Sequence, residues 1–353
     1  MKEYFATTKQ SIAPFLNEYI TDQIASYKPV NRWSADALRR LRATASEGKM
    51  VRGGLVYMAY ELAQKKPDET CQKLAAAIEI VHTALVIHDD IMDCDGLRRG
   101  QPTVYRQYQT LAHASKSKHA DHLGESLGVC VGDVAIFLSF DLLASLPVSQ
   151  AVLGQKLVQI FSQELCKVGF AQMQDVWAGS VSQSVTMAEI LRLYRYKTAR
   201  YTFSLPFMLG GIAAGLASDT VNSLAKLGEH IGIIFQIKDD ELGMYGEQEK
   251  IGKPCGSDIR EGKQTFYYYF LYKYATKAEQ KLLGTIFGNP AAGKQQLLQV
   301  RELIVKYSII DKIQVLLEKE IKEAKKIIAG LPFDSKQKQL LEDLLAFNLN
   351  RSA

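Results

Sequence analysis

Apolar residues along this chain recur every three or four positions almost from end to end, and the strict alternation of a half-buried strand is scarce. Glycine and proline fall between the long periodic stretches, at Lys28-Pro29, Lys66-Pro67-Asp68, Leu146-Pro147, Gly288-Asn289-Pro290 and Leu331-Pro332. These residues punctuate helices, so the pattern predicts roughly a dozen helices joined by short turns. No linker, low-complexity tract or fixed-period repeat divides the sequence. An all-α, single-domain bundle over residues 1–353 is expected.

Two apolar stretches end in carboxylates. The run from Ala75 to Ile91, broken mainly by Glu79, His82 and His88, closes with His88-Asp89-Asp90-Ile91-Met92-Asp93 and then Arg98-Arg99-Gly100. Residues four apart stack on one helix face, so Asp89 and Asp93 share a face. Stacked carboxylates repel by about 0.2–0.5 kcal/mol on an exposed helix, and by more where they are partly buried. A hard divalent cation removes that cost. Mg²⁺ suits the role, because it binds through one or two carboxylates and completes its octahedron with water and phosphate oxygens. Arg98 and Arg99 add fork-shaped donors matched to phosphate. Together they predict a diphosphate site at the end of an apolar helix. An acidic cluster alone is more often a solvated helix end. The arginine pair, and the echo at Lys238-Asp239-Asp240, set this one apart. The two acidic helix ends are expected to face each other across a central cavity.

Upstream, Glu47-Gly48-Lys49-Met50-Val51-Arg52-Gly53-Gly54 is a glycine-punctuated turn entering a helix. Lys49 and Arg52, three apart, can reach one anion beside free N–H groups of the helix start. The plainer reading is a basic cap on a surface loop.

Composition narrows the class. An apolar share of 47% over 353 residues supports a sizeable core. The net charge of +5 and pI near 8.7 are only mildly basic, and the lysines are spread rather than interleaved with aromatics. That argues against a nucleic-acid binder and fits anionic substrates. Cys71, Cys94, Cys130, Cys166 and Cys255 are widely spaced and odd in number, which predicts free thiols in a reducing cytoplasm. Met1-Lys2-Glu3-Tyr4 lacks the apolar core of a signal peptide. Leu127 to Leu146 is apolar enough to raise a membrane span, but Asp133 and Asp141 interrupt it, so a buried helix and no transmembrane segment are expected. His113, His119 and His122 are irregularly spaced without a cysteine or carboxylate pattern, which sets a zinc site aside. Alternating charge from Lys294 to Ala353 reads as solvated helix faces.

From about Gly48 to Lys263 the motifs resemble those of the trans-prenyl (polyprenyl) diphosphate synthases, most of all the geranylgeranyl diphosphate synthases. Gly48-Lys49-x-x-Arg52 matches the family's Gly-Lys-x-x-Arg-Pro, with Gly53 in the proline position. Gly132-Asp133 resembles the helix that packs at the family's dimer interface. Gln172-Met-Gln-Asp175 matches Gln-x-x-Asp, with Ala171 replacing the preceding glycine. Tyr196-Lys197-Thr198-Ala199 resembles the Lys-Thr motif, and Phe235-Gln236-Ile237-Lys238-Asp239-Asp240 the second aspartate-rich motif, with Gly243 where a third aspartate is usual. Gly252-Lys253-Pro254 and Ser257 to Lys263 resemble the closing loop.

The resemblance implies Mg²⁺-dependent, head-to-tail condensation of isopentenyl diphosphate with dimethylallyl, geranyl or farnesyl diphosphate, by a cytoplasmic homodimer. It implies that Asp89, Asp93 and Asp239 bind metal, with Asp90 and Asp240 as auxiliary members of the set. It assigns Lys49, Arg52, His82 and Arg99 to isopentenyl diphosphate, and Arg98, Lys197 and Lys253 to the allylic diphosphate. A buried Lys197 needs an anion nearby, and the allylic diphosphate is the expected one. Thr198 and Gln236 complete the catalytic set, with the Thr198 oxygen turned toward the developing carbocation. No side chain is an obvious general base, and the resemblance implies that the released diphosphate takes the proton. His88 is left structural.

Product length follows from the helix that carries Asp89. Leu85 and Ala84 lie four and five residues earlier, roughly 6–8 Å away at about 1.5 Å per residue. A large aromatic there stops elongation early in the family's farnesyl diphosphate synthases. Ala84 leaves that floor open to the next turn at Val81. The expected product is geranylgeranyl diphosphate, with longer chains the runner-up and a farnesyl diphosphate synthase the shorter alternative. Two further alternatives are a class I terpene cyclase, which lacks the isopentenyl contacts, and a non-catalytic subunit of a heteromeric synthase, whose aspartates are usually eroded.

Overall fold

The computed structural model describes residues 1–180, 185–245 and 256–351. Among these the all-α expectation holds, since the strands form only a ribbon of two residues on each side. The chain resolves into two compact units. The first comprises Met1–Ser162 with Pro206–Val221, the second Gln163–Leu205 with Asn222–Ala353.

The first unit runs α1 (Lys2–Tyr27), α2 (Arg32–Ser46), α3 (Val51–Leu62), α4 (Glu69–Met92), β1 (Leu97–Arg98), β2 (Gln101–Pro102), α5 (Val104–Ala114), α6 (Ala120–Ala144) and the opening of α7 (Ala151–Ser180). Side-chain oxygens start two of these helices. Asn31 accepts from the Trp33 and Ser34 N–H groups, and Asp68 from Cys71 N–H at 2.8 Å. The core is built on α4, where Leu74 through Ile78, Ile80, Val81 and Ala84 are wholly buried. Its small residues let neighbours approach closely. The His88 ring lies against Gly132 of α6, where a Cβ would sit 2.1 Å from Nε2, and that Nε2 is 3.1 Å from the Val129 carbonyl. His88 is therefore a packing residue between α4 and α6.

The helix expected to be buried around Leu127 to Leu146 is not buried throughout. On α6, Leu123, Val134 and Phe137 lie on one exposed face, with Phe137 72% exposed. An apolar stripe of this kind passes for a core helix in sequence, because hydropathy does not say whether a neighbour from the same chain covers it. By length and composition α4 and α6 are each long and apolar enough to cross a membrane, but α4 is a core helix with 72% of its most apolar window buried.

The second unit continues α7 and adds α8 (Met187–Leu193), which Thr186 and Glu189 cap reciprocally. A π-helical stretch, Tyr194–Ser204, then leads into α9 (Leu205–Ala213), which from Pro206 on belongs to the first unit. The Leu205 N–H reaches back five residues to the Arg200 carbonyl. Pro206, next in the chain, has no N–H to donate and its ring crowds the carbonyl four residues back, so the helix widens before it. Next come α10 (Ser218–Tyr245), α11 (Ser257–Arg260), α12 (Phe266–Tyr274), α13 (Lys277–Ile286), α14 (Lys294–Lys306), α15 (Ile309–Gly330) and α16 (Ser335–Leu349). Gly232 lets α10 cross the π stretch closely, since a Cβ there would lie 2.3 Å from Ala199 Cα. Arg200 forks onto Glu164 of α7 with two 2.7 Å bonds and also reaches Glu229 of α10. This triad fixes the π stretch between the two helices.

Gly124 gives the fold its sharpest test. A Cβ there would fall 2.7 Å from Gln109 N and 2.8 Å from Tyr105 O, both backbone atoms of α5. Overpacking against a backbone that cannot swing aside costs about 1–3 kcal/mol. Gly124→Ala is expected to lower the denaturation midpoint accordingly, and an unchanged midpoint would disprove this crossing.

Candidate active site

In the first unit, the end of α2 and the turn after it, one side of α4, the β1–β2 ribbon and the start of α5 line a cleft of about 610 Å³, its open mouth included. Glu79, His82, Thr83, Val86 and Asp90 line it from α4, Gly48 from the turn before α3, and Arg98 and Arg99 from the ribbon.

The turn before α3 is held from two sides. Lys9 of α1 donates to the Ser46 and Gly48 carbonyls at 3.0 and 2.8 Å. Met50 takes the left-handed conformation, with φ of 51°, and gives α3 no side-chain cap. The cap comes from another helix. The buried Glu79 carboxylate accepts the Gly53 N–H at 2.8 Å and bonds the Arg52 backbone as well. Sequence left these N–H groups open to an anionic ligand, and the structure assigns them to Glu79 instead. It also accounts for the missing proline, because Gly53 must donate an N–H and lies where a Cβ would meet Ile12 Cδ1 at 2.9 Å. Burial pushes the Glu79 carboxyl up, while the Arg52 charge and the two backbone donors pull it back.

The arginine pair sits on a two-residue hairpin, with Leu97 opposite Pro102 and Arg98 opposite Gln101. Its turn residues Arg99 and Gly100 have φ of 51° and 78°, both positive as a type I′ turn requires. A non-glycine residue there stores strain, which is typical of functional positions. Arg98 binds Asp90 at 2.6 Å and lies 3.5 Å from Asp95 and 3.9 Å from Asp89. Burial pushes the Asp90 carboxyl up to about 6 against the opposing pull of Arg98. Burial, together with the charges of Arg52, Arg99 and Arg98, holds His82 well below the usual histidine pKa. His82 therefore faces the cleft as a neutral imidazole. Lys49 is exposed, and Asp89 and Asp93 are half-buried at the C-terminal end of α4.

In the second unit the predicted residues form two linked sets. Thr198 Oγ1 donates to Gln236 Oε1 at 2.7 Å, and Gln236 Nε2 donates to Asp240 Oδ1 at 2.8 Å. The Tyr194 hydroxyl donates to the other Asp240 oxygen. Lys197 donates to the Asp175 carboxylate of α7. Asp175 is thus a counter-ion for Lys197 within the chain, beside the allylic diphosphate expected from the sequence. Asp239 is exposed and meets the Arg351 guanidinium at 3.0 Å, and that guanidinium also stacks 4.0 Å over Phe235. The tail read as plain solvated helix faces therefore sends a cation onto the second acidic motif. Lys253 lies outside the described residues.

Sequence reasoning missed Lys9, Glu79, Tyr194 and Arg351. Only Glu79 left a usable signal, since a carboxylate inside an apolar helix needs a partner. Among the described residues, His113, His119 and His122 join no three-ligand cluster, and His113 pairs with Asp121 at 3.2 Å. Cys71, Cys94, Cys130 and Cys166 are free thiols.

The capping role of Glu79 is testable. Gly53→Pro, which restores the family's commoner residue, strips Glu79 of a donor, and an unsatisfied buried acceptor costs about 1–3 kcal/mol. The variant is expected to melt lower than wild type; equal or higher stability would show that the Gly53 N–H is dispensable.

The polyprenyl synthetase family model matches residues 35–304. The geranylgeranyl diphosphate synthase of Saccharolobus solfataricus is 35% identical over 247 residues, 68% of each chain. The geranylfarnesyl diphosphate synthase of Aeropyrum pernix is 28% identical over 348 residues, 95% of this chain and 99% of that one. The geranylgeranyl pyrophosphate synthase of Corynebacterium glutamicum, solved with isoprenyl diphosphate and magnesium, superposes with a TM-score of 0.89 over 98% of both chains. At 23% identity that last likeness speaks for the fold alone. With the family model spanning most of the sequence and the motifs clustered as described, the chain belongs to the polyprenyl synthetase family and is a prenyltransferase.

Proposed function

We propose that this chain condenses isopentenyl diphosphate head to tail with an allylic diphosphate (dimethylallyl, geranyl or farnesyl), giving an all-trans prenyl diphosphate, geranylgeranyl diphosphate first. The observation that carries this reading is the cleft itself, where the charges of Arg52, Arg98 and Arg99 converge on a neutral His82 beside the aspartates that end α4. A diphosphate is the ligand that such a set of forks and one neutral donor fits. Because the family model runs through residues of both units, the whole chain is read as one synthase domain.

The donor set fits a hard divalent ion. Asp89 and Asp93 stand four residues apart at the C-terminal end of α4, and Asp239 is an exposed carboxylate that already draws a cation, Arg351. Asp89, Asp93 and Asp239 would hold Mg²⁺, which when bound offsets the negative charge of a departing diphosphate. Asp90 and Asp240 are buried and committed to Arg98 and to Tyr194 and Gln236, so their part is to orient these neighbours.

Within the chain, Lys49, Arg52, His82 and Arg99 grip isopentenyl diphosphate, and Arg98, Lys197 and Lys253 grip the allylic diphosphate. The allylic carbon–oxygen bond breaks, the isopentenyl double bond attacks the cation, and a proton then leaves to the released diphosphate. Thr198, fixed by Gln236, presents its oxygen to the cation. Exclusion of water keeps that cation from ending as an alcohol. The intact aspartates 89, 90, 93, 239 and 240 favour an active synthase over a non-catalytic subunit. The exposed stripe of Leu123, Val134 and Phe137 supports a homodimer through α6, and the free thiols support a cytoplasmic setting.

The activity test is purified protein with Mg²⁺, isopentenyl diphosphate and each allylic primer, with products sized by chromatography. Asp89→Ala is expected to lower turnover about 10²–10³-fold, as for one electrostatic contributor, with an unchanged melting curve. A variant keeping more than about a tenth of wild-type turnover would remove Asp89 from the metal set.

Product length turns on α4. Ala84 and Val81 are buried and Leu85 is half-buried, and none of the three lines the cleft of His82 and Arg99. A tail running along that other side of the helix meets a methyl group where an aromatic would stop it. Ala84→Phe is expected to shorten the product to farnesyl diphosphate. A wild type that stops at fifteen carbons, or a variant with unchanged product, would reject the gate. The S. solfataricus relative supports twenty carbons, and the A. pernix relative makes a longer chain the runner-up.

A further inference from the structure

Within the second unit, the π-helical stretch and α10 run antiparallel at close range. Gly228 and Gly232 admit the approach, since a Cβ on the first would fall 2.7 Å from Ser204 N and on the second 2.5 Å from Ala199 Cβ. Four residues beyond Gly232 the same crossing sets Gln236 against Thr198, and four further on Asp240 against Tyr194. Thr198 and Tyr194 are themselves four apart, so the side chains form a short ladder between the two elements. Tyr194 and Asp240 are buried, whereas Thr198 and Gln236 are half-buried. The hydrogen bonds therefore lead outward from the core to Thr198.

Donor and acceptor chemistry fixes their direction. A carboxylate only accepts, so Asp240 turns the Gln236 amide with its NH₂ group inward, Nε2 to Oδ1 at 2.8 Å. The Gln236 carbonyl is left for Thr198, whose hydroxyl gives its single hydrogen to Oε1 at 2.7 Å. A helical threonine often gives that hydrogen to a carbonyl three or four residues back. With the hydrogen sent to Gln236, the Thr198 oxygen turns lone pairs outward. Lone pairs suit a carbocation and repel the oxygens of a diphosphate.

The far end of the ladder holds Asp240 in place. The Tyr194 hydroxyl donates to the second Asp240 oxygen and accepts the Phe266 N–H at 3.4 Å. Its ring meets Phe266 edge-on, with centroids 5.1 Å apart and planes at 73°. We propose that Tyr194 is a positioning residue for the condensation: its hydroxyl clamps Asp240, so that Gln236 turns its carbonyl to Thr198 and Thr198 turns lone pairs to the allylic cation. This inference rests on the reading of Thr198 given above. The plainer role is a core tyrosine whose buried hydroxyl needs a partner, and that role has no link to Thr198.

The test is a double-mutant cycle on full-length protein with Mg²⁺, isopentenyl diphosphate and geranyl diphosphate. It is read as KM and as the single-turnover rate, which product release does not mask. Tyr194→Phe keeps the ring and removes the clamp. It is expected to slow the single turnover about ten- to a hundredfold, the range for groups that orient a reacting side chain, with KM for both diphosphates unchanged. Thr198→Val keeps the shape and removes the hydroxyl. It should lose at least as much, and Tyr194→Phe added to it should cost nothing further. Losses that multiply in the double variant overturn the proposal, as does a Tyr194→Phe that changes KM alone. Should Tyr194→Phe fail to fold, Gln236→Met takes its place in the cycle, and losses that multiply there overturn the ladder and the proposal with it. A wild type without turnover, or Thr198→Val at the wild-type rate, overturns the reading of the site together with this inference. A slow Thr198→Val beside a silent Tyr194→Phe overturns this inference alone.

Discussion

The charge of Asp90, buried at the last turn of α4, dictates what surrounds it. A carboxylate removed from water must find donors or become neutral. Here Arg98 meets it at 2.6 Å, and the chain turns back sharply to bring that arginine into place. The turn is the two-residue hairpin, which sets Arg99 in the left-handed region and aims its guanidinium into the cleft beside Gly48. The ion pair thereby fixes both of the arginines that line the cleft. Burial first, and then the charges of Arg52, Arg99 and Arg98, hold His82 well below the usual histidine pKa.

The same division recurs in each Asp-Asp pair. Adjacent residues on a helix point about 100° apart, so one aspartate of a pair faces the core when the other faces solvent. Asp90 and Asp240 are the inward members, each satisfied by the chain's own donors. Asp89 and Asp239 are the outward members, and Asp239 keeps 49% of its side chain exposed. The inward carboxylate spends its oxygens on positioning, which frees the outward one to offer its own to a ligand.

What the sequence made legible was local. Periodicity gave the helices, because a 3.6-residue repeat depends on near neighbours alone. The acidic helix ends and the arginine pair were legible for the same reason. Contacts made at long range were not. Glu79 caps α3 from 26 residues away, Lys9 grips the same turn from 37 and 39, and Arg351 reaches Asp239 from the far end of the chain. Lys197 was expected to look to a ligand for its anion, because nothing local marked Asp175, 22 residues earlier, as its partner. The outer face of α6 was misread in the same way, since apolar spacing cannot say what covers it.

The two departures from the family pattern at glycines have one physical cause. A motif written as letters records side chains, but a site is a set of donors and charges in space. At position 53 the chain needs a backbone N–H for Glu79, and proline is the one residue that cannot provide it. At position 243 the volume of a side chain is already taken by the Asp258 carboxyl. In each case the letter that looks eroded marks a place where another group has moved in, and a buried or crowded position tolerates only the residue that leaves room for it. Reading such a glycine as loss of function would put the change on the wrong residue, since the chemistry at position 53 is carried by Glu79 and the space at position 243 by Asp258.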